Sequence, residues 1–173
     1  TPKGEAVLDR PLVVCVDETI KNGMDMLKLL ELSVKQGANM LFIVANGIEG
    51  DAMNTLIANK MKGIIQTVAV KIPPRDRDSF IEELGIVTGR SVAKSVQEIT
   101  ETNFVKCSKV ISGERSTVII GLENNKPILD SKVRPLKETL ATETNPDRKQ
   151  KLEAKIQRLT GSVSNILLGA PTK

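Results

Sequence analysis

The sequence predicts an α/β fold with mixed sheets flanked by helices, and three observations lead to this class. Apolar runs of strand length alternate with amphipathic helical patterns over residues 12–72, in the order β-α-β-α-β. Short strand-like runs separated by polar turns follow between about residues 92 and 120, which is typical of antiparallel strands. Two charged helical patterns, at about 130–143 and 146–160, then predict a C-terminal helical hairpin before a last strand at 163–168.

Three continuous apolar runs predict the strands of the first half. They cover residues 12–16, 40–45 and 67–72, and Asn46-Gly47 marks a turn after the second run. Strands that are joined by helical crossovers lie parallel, with right-handed connections. A third helix follows the last of these strands, with apolar positions at 80, 81, 84 and 87. We therefore expect a parallel sheet with helices packed on it.

The two crossover helices, predicted at about residues 24–36 and 49–62, carry more apolar surface than packing on one sheet requires. Gly37 and Gly63 follow them, as glycine commonly follows a helix. Each helix has a second apolar row beside the first: Met26 and Leu29 beside Leu27, Leu30 and Val34, then Ala52, Leu56 and Met61 beside Met53 and Ile57. The second rows either are buried in the core or line an exposed groove for apolar ligands. Periodicity alone leaves both interpretations open.

Composition excludes several kinds of active site. The 173 residues are 40% hydrophobic, which is enough for one domain with a core. Histidine is absent, so a Ser-His-Asp triad, a Cys-His pair and any site with a histidine metal ligand are excluded. Basic and acidic residues number 25 and 21 and are interspersed, and Trp and Tyr are absent, which argues against a nucleic-acid partner. No apolar stretch reaches the length of a membrane span, so no membrane partner is expected.

The two cysteines, Cys15 and Cys107, form no CxxC motif. Because Cys15 lies within a predicted strand, we expect a buried and inert thiol there and no nucleophile. A single disulfide between the two is left open by the sequence, although nothing indicates a secreted disulfide scaffold. The cysteine usage favours a reducing compartment.

The loop at residues 47–50 lies between a strand and a helix, where free amide groups could receive an anion. Glu49 and Asp51 are acidic, however, and such residues favour the helix dipole at that position. Neither a phosphate-binding loop nor a dinucleotide-binding motif occurs, and we predict no catalytic, cofactor-binding or metal residues. Because the loop at residues 47–50 could still receive an anion, a small α/β enzyme domain that binds a phosphorylated ligand is one alternative function. A docking domain for one folded partner is another.

An ordered set of short segments extends through nearly the whole chain. No single segment is as specific as a metal signature, but the order and spacing of the set are characteristic. The set resembles the apical domain of group I chaperonins, the GroEL-like family. The matching segments are Val16-Asp17, Ile20, Met26-Leu27, 48–53, 59–63, 68–71, 84–89, 109–111, 116–120, 151–161 and 168–170.

The resemblance implies a layered β/β/α fold, with residues 1–173 forming a single substrate-binding domain fragment. Residues 161–173 would lead toward an intermediate, or hinge, domain. In this family the two crossover helices bind non-native polypeptides and the mobile loop of a GroES-like co-chaperonin, which favours the groove interpretation. By position, the implied binding residues are Leu27, Leu30, Val34, Met53, Ile57, Ala58 and Asn59.

The resemblance also implies properties of a longer parent protein. ATP and Mg²⁺ would bind in an equatorial domain, and heptameric rings would assist ATP-dependent protein folding. This fragment itself would be a monomer without enzymatic activity, from a bacterial cytoplasm, a mitochondrial matrix or a plastid stroma. The chain departs from the family pattern in a shorter loop at residues 73–77 and in Ala58, which is smaller than the branched residue expected. A shallower groove is expected at Ala58.

Overall fold

Two four-stranded sheets and one two-stranded sheet are present in the part of the chain described by the structure, a computed structural model. The described residues are 6–72, 74–75, 77–88, 92–113, 117–120, 126–160 and 163–166.

The strands are β1 (Ala6–Asp9), β2 (Leu12–Cys15), β3 (Thr19–Ile20), β4 (Met40–Ala45), β5 (Gly47–Ile48), β6 (Gln66–Lys71), β7 (Val105–Lys106), β8 (Lys109–Ser112), β9 (Thr117–Ile120) and β10 (Val163–Ile166). The helices are α1 (Gly23–Lys35), α2 (Gly50–Lys62), α3 (Arg77–Thr88), α4 (Lys126–Thr142) and α5 (Pro146–Thr160). Two short 3-10 turns, Val96–Glu98 and Glu101–Asn103, precede β7.

Strands β6, β4 and β2 of the first half form the predicted parallel sheet, and β7 joins its edge to give the order β6-β4-β2-β7. Both β2 and β6 pair with β4 in parallel, and β7 pairs antiparallel with β2 at the edge. Both faces of β4 are covered, so a strand in this position requires apolar residues without alternation. The predicted β-α-β-α-β order and the α/β class with sheets flanked by helices are confirmed.

The parallel sheet separates two cores. On one face, Val14 and Ile43 pack with Met26 of α1 and Ala52 of α2. On the opposite face, apolar residues of the sheet pack with α3 and with the second sheet, through Phe42, Val44, Leu84, Leu8 and Val110. Successive side chains of a strand point to opposite faces, which is why β2 and β4 contribute to both cores.

The second sheet is antiparallel, in the order β1-β8-β9-β10, as the polar turns of this region predicted. Strand β1 precedes every strand predicted from the sequence, and it pairs with β8 from Ala6 opposite Ser112 to Asp9 opposite Lys109. Val92 was predicted in a short strand and lies outside one. The adjacent Ala93 forms a single parallel bridge with Val16.

Several predicted helix ends are confirmed. Gly37 and Gly63 follow α1 and α2 with φ of 79° and 65°, the left-handed conformation that glycine adopts without strain. Asn145 caps α5, since its side-chain oxygen accepts from the Asp147 amide at 2.9 Å, and Pro146 is the first helical residue. The predicted hairpin is formed by α4 and α5, which also contact α3. Residues 161–162 and 167–173, which include the end of the last predicted strand and most of the segment expected to lead to a hinge, lie outside the described residues.

Candidate functional site

The exposed apolar side chains of this protein are concentrated on α1 and α2. Seven large hydrophobic side chains are exposed in the part of the chain that the structure describes, and Val7 is the one away from these helices. Folded proteins seldom keep such groups together in water without a binding role. The other six are Met24, Leu27 and Val34 on α1, Ile57 and Met61 on α2, and Ile64 directly after α2.

The two helices lie side by side with the same direction, because both connect parallel strands of one sheet. They approach closely at their first turns. A Cβ atom added to Gly23 would lie 2.9 Å from the Thr55 hydroxyl oxygen and 3.5 Å from the Asp51 carbonyl oxygen. A residue of α1 is therefore level with a residue about 30 positions later on α2. By this offset, Leu27 of α1 lies at about the same height along the helix pair as Ile57 of α2.

The structure buries two of the residues predicted to bind ligands. Leu30 is 4% exposed and belongs to the core stripe of α1, together with Met26, Leu29 and Ser33. Asn59 is 7% exposed, and its side-chain amide donates to the Ile65 carbonyl oxygen at 2.9 Å. The assignment of Leu30 to the outer row is therefore corrected. Leu30 and Asn59 support the surface from below and have little area to offer a ligand.

The remaining predicted site residues are accessible to different degrees. Leu27, Val34, Ile57 and Ala58 are exposed. Met53 is half-buried and packs against the core beneath α2. Five of the seven predicted site residues therefore keep some exposed surface on the two helices.

In the sequence pattern Met61 shares a row with Ala52 and Leu56, but the structure leaves it exposed. The core row is Ala52, Leu56 and Asn59, whereas Met61 is 84% exposed. Helical spacing instead aligns Met61 with Met53 and Ile57, at i, i+4 and i+8. Two further exposed residues, Met24 and Ile64, were not predicted. Met24 lies three residues before Leu27, so helical spacing extends the Leu27 row to it, whereas Ile64 lies beyond Gly63 and outside the helical pattern.

The loop considered for an anion has a different structure from the one predicted. Gly47–Ile48, expected to form part of a turn, is strand β5 and pairs in parallel with β3. The Glu49 amide donates to the Ile20 carbonyl at 2.9 Å, and the Ala52 amide to the Lys21 carbonyl at 3.2 Å. These two amide groups are therefore satisfied within the chain and are not free to receive an anion.

A polar contact joins the carboxyl ends of the central strands to α3. Asp17, which follows β2, accepts a hydrogen bond from the Asn46 side-chain nitrogen at 3.0 Å. The same carboxylate forms an ion pair with Arg77 at the start of α3. Because carboxylate and guanidinium are paired with each other, this contact stabilises the position of α3.

Both cysteines are buried and free, so the disulfide left open by the sequence is not formed in the structure. Burial raises the pKa of the Cys15 thiol to about 12 and that of the Cys107 thiol to about 11. Both thiols are therefore protonated at neutral pH and unsuited to nucleophilic attack. Among the described residues, no group of three or more His, Cys, Asp and Glu side chains is arranged to hold a metal ion. Within the same residues, no helix combines the length and apolarity needed to cross a membrane.

The α1–α2 surface offers a ligand exposed apolar side chains, with lysine side chains at one end. Lys35 ends α1, and Lys60 and Lys62 lie in the last turn of α2. Such a surface suits a ligand that presents apolar side chains and requires no particular hydrogen-bond pattern. No protein-family model matches this chain.

Proposed function

We propose that this chain is the polypeptide-binding apical domain of a group I chaperonin subunit, which captures non-native proteins on α1 and α2. The observation that carries the proposal is the concentration of six exposed large hydrophobic side chains on and directly after these two helices. An unfolded polypeptide displays apolar side chains that a native protein buries. A contiguous apolar surface therefore selects the unfolded form without selecting a sequence.

The binding energy in this proposal comes from removal of apolar area from water. Burial contributes roughly 25 cal/mol per Å², so a few hundred Å² give several kcal/mol before the cost of ordering the bound segment. Met24 and Met61 are unbranched and adapt to differently shaped partners. The mobile loop of a GroES-like co-chaperonin would use the same surface. In a ring of the parent protein, several such sites would bind one substrate with added avidity.

The buried side of the helices supports this use of the exposed side. Met26, Leu29 and Leu30 fix α1 to the parallel sheet, and Ala52 and Leu56 fix α2. A surface held by a packed core loses little conformational freedom when a ligand binds. The order of strands and helices agrees with the segments on which the chaperonin resemblance is based. ATP binding and ring assembly belong, in this proposal, to other domains of the parent.

A single fluorescent label tests the proposal directly. Because Cys15 and Cys107 are buried, a cysteine introduced by Met61→Cys is the accessible thiol for an environment-sensitive dye. Addition of a chemically unfolded protein should shift the dye emission to the blue, since the label enters an apolar contact. The same protein in its native form should give no shift.

The matched control places the dye at the exposed position Lys149 of α5 through Lys149→Cys. That label should not respond to the unfolded protein. Equal responses at the two positions, or no response at Met61→Cys, would overturn the proposed binding surface. A response to one native protein and not to unfolded chains would indicate a docking domain for a folded partner.

A further inference from the structure

Basic side chains flank the exposed apolar residues at the C-terminal end of the helix pair. Lys60 and Lys62 lie on either side of Met61 in the sequence, and Lys35 follows Val34. Lys35 forms an ion pair with Glu101 at 3.3 Å. Within the described residues, the structure shows no carboxylate paired with Lys60 or Lys62. This end of the surface therefore carries two cations that no described carboxylate of the chain neutralises.

The apolar residues at the same end form a distinct group. Val34, Met61 and Ile64 are 47%, 84% and 60% exposed. Val34 lies in the last turn of α1, Met61 in the last turn of α2, and Ile64 directly after Gly63, so all three belong to the C-terminal end of the helix pair. A ligand that covers this group must therefore pass next to the lysine side chains.

Lysines in the last turn of a helix also interact favourably with its unpaired carbonyl groups. That effect explains why lysines occur at a helix end, but it does not explain why apolar side chains next to them are exposed. The exposed Glu31 is the carboxylate of α1 that is nearly level with Met61, so one negative charge faces the two unpaired lysines. The local balance remains positive and would attract an acidic ligand.

We propose that this end of the surface binds polypeptide segments in which apolar side chains are flanked by Asp or Glu. The apolar side chains would cover Val34, Met61 and Ile64, while the carboxylates would pair with Lys60 and Lys62. This inference rests on the proposed function, and it adds a charge preference to a surface that would otherwise select for apolarity alone. The partner is thus a non-native segment or flexible loop of acidic-apolar composition.

Three fluorescein-labelled peptides test the preference by anisotropy. They share one apolar sequence and differ only in the flanking residues, which are Glu, Gln or Lys. The Glu-flanked peptide should bind about three- to tenfold more tightly than the Gln-flanked one, which is the range expected of two exposed ion pairs. The preference should shrink at high salt, because salt screens exposed charges.

A double variant, Lys60→Gln with Lys62→Gln, should remove the preference and leave binding of the Gln-flanked peptide unchanged. Both lysines are exposed, so the fold should tolerate the change. The control, Lys149→Gln with Lys151→Gln on α5, removes the same charge elsewhere and should keep the preference. Equal binding of all three peptides would overturn this inference and leave the proposed function standing. Failure of every peptide to bind would overturn both.

Discussion

Substitution of Ile57 by glutamine should weaken capture of unfolded protein and cost the fold much less stability than substitution of a core residue. Ile57 is 47% exposed on α2, so a ligand can still bury about half of its apolar surface. Complete burial of such a side chain contributes roughly 1.5–3 kcal/mol, which makes the remaining half worth about 1 kcal/mol. The dissociation constant should therefore rise about fivefold. Glutamine is a good helix former and its methylene groups keep part of the contact of the buried half, so we expect the free energy of unfolding to fall by no more than about 1 kcal/mol.

Leu30→Ala provides the contrast, because Leu30 was predicted from sequence for the same surface but is 4% exposed. Its truncation leaves a cavity under α1 and should lower the free energy of unfolding by about 2–5 kcal/mol. Urea unfolding followed by circular dichroism measures stability, and anisotropy of a labelled unfolded protein measures binding. If Ile57→Gln lost as much stability as Leu30→Ala, or bound as tightly as the unchanged chain, the division between exposed and supporting residues would be refuted.

Three further predictions concern a buried hydrogen bond, a helix end and the two buried thiols. Asn59→Ala should lower the free energy of unfolding by about 1–3 kcal/mol in urea titrations, since it leaves the Ile65 carbonyl without its buried donor, and unchanged stability would contradict this role. Gly63→Ala should cost about 1 kcal/mol by the same assay, because φ is 65° and a Cβ would contact nothing within 4 Å, so the cost is purely conformational. Cys15 and Cys107 should react slowly with iodoacetamide at pH 8 in the native chain and rapidly in urea. Burial raises both thiol pKa values above 9.0, so the stability that the neutral thiols contribute is complete below pH 9 and declines as the pH rises through about 11 to 12.

Sequence patterns predicted the strands and helix ends that are marked by residues within the element or directly beside it. The continuous apolar run of β4 has strand length and clear boundaries, and the left-handed glycines mark the ends of α1 and α2. Strand β1 was missed because its partner, β8, lies about 100 residues away and its own four residues include one buried side chain. The two-residue strands β3 and β5 are too short to produce any periodic signal.

The apolar surface could be placed on the correct helices, but not always on the correct side. Leu27 and Leu30 are both apolar and lie on adjacent parts of α1, so the sequence cannot state which of them faces the sheet. In the structure the core stripe includes Ser33, whose hydroxyl bonds to the Leu29 carbonyl at 2.8 Å. Asn59 likewise occupies a core position because it has a specific acceptor. Because the buried rows contain the polar residues Ser33 and Asn59, the apolar pattern alone did not show which side of each helix is exposed.

The binding of non-native polypeptides to α1 and α2 is tested most simply by equilibrium binding of one labelled protein. That protein is offered to the chain in two forms. The protein is presented after dilution from denaturant, when it is unfolded, and separately in its native form. We expect capture of the unfolded form alone, with weaker capture by a chain that carries both Ile57→Gln and Met61→Gln. Capture of neither state, or equal capture by the double variant, would contradict the claim that α1 and α2 form a surface for non-native polypeptides.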